Sequence, residues 1–248
     1  MTTGWRRRTG PIGVLTGAGI STDSGIPDFR GPRGVWTEDP IAELLSTYQN
    51  YVADPELRQR AWLARRDNPA WQARPNDAHR ALVRLAEQRE VRIITQNIDR
   101  LHQRAGSADE SVVEIHGNMF DVVCIGCDYT STMAATLDRV AAGEPDPPCP
   151  TCGGILKAAT VMFGQQLVPE SIWLATDIAR TSDIFLAIGT SLQVEPAASM
   201  CAVAVEAGAD LIIINADPTP YDHYATEVIH DPIGAALPKL VDEILTVS

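Results

Sequence analysis

The stretch that decides the fold is Ile12-Gly13-Val14-Leu15-Thr16-Gly17-Ala18-Gly19-Ile20-Ser21. A short apolar run ends in closely spaced glycines, as in strand-to-helix turns that bind a dinucleotide pyrophosphate through backbone N–H groups. The third glycine of the usual fingerprint is missing, because Thr22 stands three residues after Gly19. By itself the motif fits a ligand-free turn equally well.

Three more apolar runs resemble this one, at residues 91–94, 184–188 and 211–214, and each ends in small or polar residues. Continuous apolar strands of this kind are typical of a parallel sheet that is buried on both faces. Helical patterns at 78–88 and 196–207 lie between them. The sequence therefore predicts an α/β fold with a doubly wound parallel sheet.

Two stretches interrupt this alternation. Residues 32–75 are rich in Trp, Arg and Pro and indicate short helices, whereas residues 120–159 contain two cysteine pairs. We expect both to form a smaller lobe, helical in 32–75 and metal-binding in 120–159. The larger part of this single catalytic domain would then comprise residues 1–31, 76–119 and 160–248.

Length and charge narrow the function. The chain has 248 residues, a formal charge of −12 and a pI near 4.8. An acidic surface repels phosphate backbones, so we expect no direct nucleic-acid binding. A secretory signal and an apolar run of about 20 residues are both missing from the sequence, which predicts a cytoplasmic protein without membrane association.

The cysteine pairs Cys124-x-x-Cys127 and Cys149-x-x-Cys152 are the strongest single motif. Two such turns supply four thiolates, which fill the tetrahedral coordination of Zn²⁺ and leave no open position, so the metal is predicted to be structural. A redox role is disfavoured because one pair suffices for it. Cys201, in an alanine-rich segment, is interpreted as a core residue.

Polar residues follow the strands. Gln96, Asn97 and Asp99 come after the second apolar run, where α/β sheets bind ligands, although helix capping would explain one of them. The loop that carries Asp28, Phe29 and Arg30 offers an aromatic face and a guanidinium beside the glycine turn. An Asp28–Arg30 pair in an exposed turn is an equal alternative.

His116 precedes Gly117 after the apolar pair Val112-Val113. Imidazole titrates near neutral pH and can accept a proton from an alcohol, although a lone histidine is more often a buried hydrogen-bonding residue. Two further segments have ordinary alternatives as loop or strand. Gly189-Thr190-Ser191 offers small donors, and Val161-Met162-Phe163-Gly164 offers an edge for an extended peptide.

Taken in order, these motifs resemble the sirtuin family over nearly the whole chain. The resemblance rests on residues 17–21 with 25–30, on Thr95-Gln96-Asn97-Ile98-Asp99, on His116-Gly117, and on the four cysteines. Phe163-Gly164, Gly189-Thr190-Ser191 and Asn215 continue it. It implies a Rossmann-like domain with a smaller zinc and helical lobe.

The resemblance also implies an activity: NAD-dependent removal of acetyl or other acyl groups from protein lysine, releasing nicotinamide and O-acyl-ADP-ribose. His116 would be the base, assisted by Asn97, and the partner would be an acyl-lysine protein or peptide. The implied NAD-binding residues are Gly17, Ala18, Gly19, Ile20, Asp28, Phe29, Arg30, Trp36, Gln96, Asn97, Ile98, Asp99, Gly189, Thr190, Ser191, Asn215, Ala216, Asp217 and Ile233.

The implied substrate-binding residues are Val161, Phe163 and Gly164, of which Val161 and Gly164 would pair with the peptide backbone. Trp62 and Arg65 stand where desuccinylating members resemble one another in a Tyr-x-x-Arg pair, but Trp62 lacks the phenol. We expect acetyl-lysine as the substrate. Gln165 departs from the glutamate that often follows Phe-Gly in the family.

Two other functions remain open at this point. A protein mono-ADP-ribosyltransferase would share the cofactor and the first chemical step. A non-catalytic NAD sensor or zinc-ribbon interaction module would leave His116, Asn97 and Asp99 unexplained.

Overall fold

The computed structural model describes residues 3–28, Gly34 and residues 44–247. They separate into two compact units. The first contains residues 3–27, 73–115 and 168–247, and the second contains the described residues of 28–72 together with 116–167.

The first unit is built on six parallel strands. In chain order these are β1 Ile12–Thr16, β2 Val91–Thr95, β3 Val112–Glu114, β7 Ile184–Ile188, β8 Asp210–Ile214 and β9 Glu227–Ile229. The spatial order is β3-β2-β1-β7-β8-β9, with Thr16 beside both Thr95 and Ile188. The direction of winding reverses between β1 and β7, where sheets of this kind bind ligands at the carboxyl ends.

Helices cover both faces of this sheet. They are α3 Asp77–Ala86, α4 Leu101–Ala105, α6 Pro169–Thr181, α7 Met200–Glu206 and α8 Ile233–Val247. One core joins α3 and α8 to alternate strand residues such as Ile12 and Val14. Because side chains alternate along a strand, Leu15 faces the opposite side, where α6 packs on β1, β2 and β3. The doubly wound prediction is confirmed.

One predicted helix is shorter in the structure. The pattern at 196–207 indicated a helix from Pro196, but α7 begins at Met200. The Glu195 carboxylate accepts the Ser199 N–H, and Pro196 has no N–H to donate, so the residues before Met200 form turns instead.

The second unit contains three antiparallel strands in the order β5-β4-β6, at Thr130–Thr132, Gly117–Cys124 and Leu156–Thr160. Its helices are α1 Tyr48–Ala53, α2 Pro55–Arg66 and α5 Met133–Ala141. Pro55 opens α2, and the Asp54 carboxylate caps it by accepting the Glu56 N–H at 2.9 Å. Trp62, Val122 and Leu156 share one buried cluster, so α2 packs on this small sheet.

The described helices include none that is long and apolar enough to cross a membrane.

Candidate active site

Three glycines allow the backbone after β1 to touch the backbone after β7. The Gly17 N–H donates to the Ile188 carbonyl at 3.0 Å, and the Gly19 N–H donates to the Gly189 carbonyl at 2.9 Å. A Cβ on Gly17 would lie 2.6 Å from the Gly189 oxygen, and a Cβ on Gly189 would lie 2.4 Å from the Ile20 nitrogen. These contacts hold the ends of β1 and β7 together at the switch point, where sheets of this kind bind ligands.

After the turn, Ala18–Ser24 forms a 3₁₀ helix that ends at Gly25 with φ of 84°. Ile20 and Ser21 are buried, and Ile20 belongs to the core beneath the sheet. A Cβ on Gly234, at the start of α8, would lie 2.4 Å from Asp23 Oδ2. The late loop next to Ile233 therefore comes close to this 3₁₀ helix.

The polar residues after β2 form one buried network with Ser21. Asn97 Nδ2 donates to the Gly17 carbonyl and to Ser21 Oγ, each at 3.1 Å. The Ser21 hydroxyl donates to Asp99 Oδ2 at 2.7 Å, and Asp99 Oδ1 accepts the Leu101 N–H at 2.9 Å. Both Asn97 Nδ2 hydrogens are thus used within the protein.

The charge of Asp99 is also tuned by this setting. Burial raises the pKa of Asp99, and the hydrogen bonds from the Leu101 N–H and the Ser21 hydroxyl oppose that rise. A desolvated carboxyl group of this kind is a strong acceptor for the N–H groups of a neutral amide.

The carboxyl ends of β7 and β8 complete this edge. Gln96 Nε2 donates to Thr190 Oγ1 at 3.0 Å, which joins the residues after β2 and β7. Asn215 Nδ2 donates to the Asp217 carbonyl at 2.7 Å and shapes the exposed loop after β8. The predicted residues of the first unit therefore gather at the ends of β1, β2, β7 and β8.

His116 lies in the second unit, immediately before β4. Its carbonyl accepts the Val161 N–H at 2.8 Å, and Gly117 pairs with Thr160 of β6. Gly117 has φ of 70°, and a Cβ there would lie 1.9 Å from the Ala159 oxygen. The backbone at His116 is therefore fixed by a contact that only glycine permits.

The segment after β6 is already paired in part. The Phe163 N–H donates to the Ser46 carbonyl and the Phe163 carbonyl accepts the Tyr48 N–H, each at 2.9 Å. Gly164, with φ of 81°, approaches the Gln49 side chain, and Gln165 Oε1 accepts the Met162 N–H at 3.3 Å. The Phe163 N–H and carbonyl are therefore both paired within the second unit.

Trp62 and Arg65 lie one helical turn apart on α2. The Trp62 side chain is fully buried, and the Arg65 guanidinium lies 5.3 Å from the Trp62 ring centre and 5.5 Å from that of Tyr51. Burial lowers the pKa of Arg65, while Tyr51 opposes the shift. Arg65 Nη1 is buried without a hydrogen-bond partner in the described part of the chain.

The four predicted zinc ligands come together in the second unit, with all four Sγ atoms within 4.8 Å of one another. The Cys124–Cys152 and Cys127–Cys149 Sγ distances are 3.5 and 3.6 Å. Four sulfurs around Zn²⁺ with bonds of about 2.3 Å lie roughly 3.8 Å apart, so the cluster has the size of a zinc tetrahedron. The Gly126 N–H donates to Cys124 Sγ at 3.3 Å, as in a metal-binding turn.

Phe29, Arg30 and Trp36 lie outside the described residues, and Asp28 is the last residue before that gap. Conversely, Ser21 and Thr16 are not among the predicted site residues. Ser21 Oγ accepts from Asn97 Nδ2, and the Thr16 hydroxyl donates to Thr95 Oγ1. Their only signal in the sequence is a small hydroxyl side chain next to the glycine turn.

Comparison with known proteins gives a consistent result. The Sir2 family model matches residues 17–196. "NAD-dependent protein deacetylase 2" of Streptomyces coelicolor is 55% identical over 231 residues, covering 93% of this chain and 96% of that protein. A solved structure concerned with the mechanism and regulation of Sir2 enzymes has a TM-score of 0.87 and 36% identity, and covers 98% of this chain and 96% of its own. A Sir2 complex with a p53 peptide and NAD⁺ has a TM-score of 0.84 and 31% identity, and covers 98% of both chains.

Proposed function

This chain belongs to the Sir2 family, and from that membership we infer that it is an NAD-dependent protein deacetylase. It removes acetyl groups from lysine side chains and releases nicotinamide and O-acetyl-ADP-ribose. The observation that carries this conclusion is 55% identity over 93% of the chain to a protein deacetylase. The Sir2 complex with NAD⁺ and a peptide supports a peptide or protein as the acyl donor.

For NAD, the proposed site is the carboxyl edge of the sheet in the first unit. The glycine turn between β1 and the 3₁₀ helix lies at the switch point of the sheet, which supports a pyrophosphate position there. Thr190 and Asn215 would hold the adenosine half. The proposed roles of Asp28, Phe29, Arg30 and Trp36 rest on the sequence motifs.

Asn97 and Asp99 are proposed to hold the nicotinamide carboxamide. Asn97 Oδ1 and the buried Asp99 carboxylate are acceptors, and the carboxamide presents two N–H hydrogens. Bound NAD supplies the glycosidic bond that is broken when nicotinamide leaves. A site that excludes water would protect the sugar from hydrolysis at that stage.

His116 is proposed as the base that takes a proton from a ribose hydroxyl. The fixed backbone of His116, tied to Val161 and followed by Gly117, supports a defined position for its ring. Val161 and Gly164 are proposed to pair with the substrate backbone.

The four thiolates of the second unit fit a structural Zn²⁺, with all four positions taken by protein. Thiolate ligands of this kind persist in a reducing compartment, which supports a cytoplasmic location as our proposal.

Acetyl is the proposed acyl group. Trp62 is entirely buried and has no phenol to offer, and the Arg65 guanidinium lies within 5.5 Å of the Trp62 and Tyr51 ring centres. A peptide set with acetyl-, succinyl- and longer acyl-lysine tests this preference. Faster turnover of succinyl-lysine, lost in Arg65→Met, would reverse it.

The activity is tested by incubating the protein with NAD and an acetyl-lysine peptide, followed by mass spectrometry of all products. We expect free lysine peptide, nicotinamide and O-acetyl-ADP-ribose in equal amounts. ADP-ribose attached to protein, without peptide deacetylation, would instead identify a mono-ADP-ribosyltransferase. NAD binding without any turnover would identify a sensor.

The role of His116 is tested by His116→Ala. We expect turnover to fall by at least about 10²-fold while NAD binding, measured by calorimetry, changes little. His223→Ala, which removes an exposed histidine from the first unit, is the control and should behave as wild type. Equal turnover in both variants would reject His116 as the base.

A further inference from the structure

Two histidines that the mechanism does not use are buried beneath the proposed nicotinamide site. His79 lies on α3 and His102 on α4, both essentially without exposed surface, with ring centres 5.0 Å apart. His79 Nε2 and His102 Nδ1 are buried and have no hydrogen-bond partner among the described residues. Leaving a polar atom unpaired in a core costs about 1–3 kcal/mol, and both rings carry this cost, although His79 also completes the capping box of α3 by accepting the Asn76 N–H at 3.4 Å.

From His102, a chain of hydroxyl groups leads to Asn97. His102 Nε2 and Thr16 Oγ1 are hydrogen-bonded at 3.0 Å, and the Thr16 hydroxyl donates to Thr95 Oγ1 at 2.9 Å. Thr95 Oγ1 in turn accepts the Asn97 N–H at 3.1 Å. All four residues are buried, so each bond lacks competition from water.

His79 supports the same network from the other side. Its Nδ1 lies 3.0 Å from Asn76 Oδ1, and Asn76 Nδ2 donates to the Ile20 carbonyl at 2.7 Å. Ile20 precedes Ser21, whose hydroxyl binds both Asn97 Nδ2 and Asp99. His102 is therefore connected to the backbone of Asn97, whereas His79 is connected through Asn76 and Ile20 to Ser21, which binds the Asn97 side chain and Asp99.

Neither ring can serve as a base near neutral pH. Burial lowers the pKa of His79 to about 4, and Arg80 adds to this shift. Burial and then His79 lower the pKa of His102 to about 3. Both rings are neutral where the enzyme works, which leaves orientation as the chemistry that they can supply.

We infer that His79 and His102 are positioning residues, which hold Asn97 and Asp99 at the nicotinamide end of the site through Thr16, Thr95 and Asn76. Neither histidine is expected to touch the substrate. The inference rests on the proposed function only in naming nicotinamide as the ligand of Asn97 and Asp99.

The test compares variants that keep or remove the hydrogen bond. His102→Phe keeps the ring volume without nitrogen, and His102→Gln places an amide nitrogen near the position of Nε2. We expect His102→Phe to lower kcat by about 10²-fold and to weaken nicotinamide inhibition similarly, with KM for the acetyl-peptide unchanged. His102→Gln should recover kcat to within about fivefold of wild type.

A second pair of variants, at Thr95, tests the same hydrogen-bond chain even if the His102 variants fail to fold. Thr95→Val should resemble His102→Phe, and Thr95→Ser, which keeps the hydroxyl, should resemble wild type. Thr136→Val is the control, because Thr136 is a similarly buried threonine in the second unit whose hydroxyl donates to the Thr132 carbonyl at 3.1 Å. It should lose stability without the change in nicotinamide inhibition.

A measurement without turnover completes the test. The side-chain amide NMR signal of Asn97, assigned with Asn97→Asp, should shift in His102→Phe and Thr95→Val but not in Thr136→Val. An unmoved signal, or equal losses in Thr95→Val and Thr95→Ser, would overturn the inference. If the wild-type protein did not deacetylate the peptide, the proposed function would be rejected. The NMR comparison would still decide whether His102 and Thr95 position Asn97.

Discussion

Gly117 shows how much a single residue constrains this site. It sits between His116 and the rest of β4, with φ of 70°, and a Cβ would overlap the Ala159 carbonyl of β6. We expect Gly117→Ala to destabilise the second unit by about 3 kcal/mol or more, from left-handed backbone strain of roughly 1–2 kcal/mol and overpacking of about 1–3 kcal/mol. Urea denaturation measures this loss, and turnover should fall with it.

Gly143 is the matched control for that substitution. It also has a positive φ, 102°, but nothing lies within 4 Å of its would-be Cβ. Gly143→Ala should therefore cost only about 1–2 kcal/mol and leave turnover intact. Similar losses in the two variants would show that backbone strain, and not the contact with β6, determines the effect.

Individual residues were predictable where chemistry is local in the sequence. The four cysteines are an example, because two close pairs suffice to specify a metal site. The overlap at Gly117 was not predictable, since Ala159 is 42 residues away and contributes only a backbone oxygen. Ser21 was missed for the same reason, as its partners Asn97 and Asp99 lie in the loop after β2, more than 70 residues away.

At the scale of elements, the four cysteines lie at the end of the small sheet where β4 ends and β6 begins. Cys124 ends β4, whereas Cys152 lies in the turn before β6, so one ion would tie both to the remaining pair. We expect chelation of zinc, or Cys124→Ala, to unfold the second unit, because metal-binding energy is folding energy in such modules. Hydrogen exchange should lose protection in β4, β5 and β6.

Cys201→Ala is the comparison for this experiment. Cys201 is fully buried on α7 of the first unit, and burial raises its pKa to about 12, so it remains a thiol in the core. The variant should bind zinc normally and keep β4 to β6 protected. Unchanged protection in metal-free protein would contradict a structural role for the ion.

Elements with a strong repeating pattern were predicted well, and those shaped by local side-chain bonds were not. The run 184–188 matches β7, because five consecutive buried residues have few alternatives in an α/β protein. The residues after Gly17 form a 3₁₀ helix, in which Thr22 bonds back to the Gly19 carbonyl. The start of α7 moved to Met200 because the Glu195 side chain binds Ser199.

For the molecule as a whole, stability should depend on pH through its buried histidines. An unfolded histidine has a pKa near 6.5, while His79 and His102 have folded values of about 4 and about 3. Below pH 6.5 these two histidines bind protons in the unfolded chain but stay neutral in the folded chain, so stability falls as pH falls. Lowering the pH from 7.5 to 5 should reduce the free energy of unfolding by about 4 kcal/mol, with half of the loss coming from each histidine.

Two carboxyl groups also make folding stability depend on pH, and their effects have opposite signs. Asp99 has a pKa raised by burial, so its ionisation disfavours folding as pH rises. The hydrogen bond from Arg6 lowers the pKa of Glu227, which adds to acid destabilisation below its ordinary value of 4.5. Neither reverses the histidine effect below pH 6.5, because the two unfolded histidines together bind about one to two protons there, whereas Asp99 accounts for at most one.

The measurement is the free energy of unfolding by urea at several pH values between 5 and 7.5. His102→Gln should remove about 2 kcal/mol of the pH-dependent change, because the unfolded chain then has one fewer proton to bind. His223→Ala, which removes an exposed histidine, should leave the slope nearly intact. A wild-type slope in His102→Gln would mean that the buried pair is not neutral in the folded protein, and its place beneath Asn97 would need another explanation.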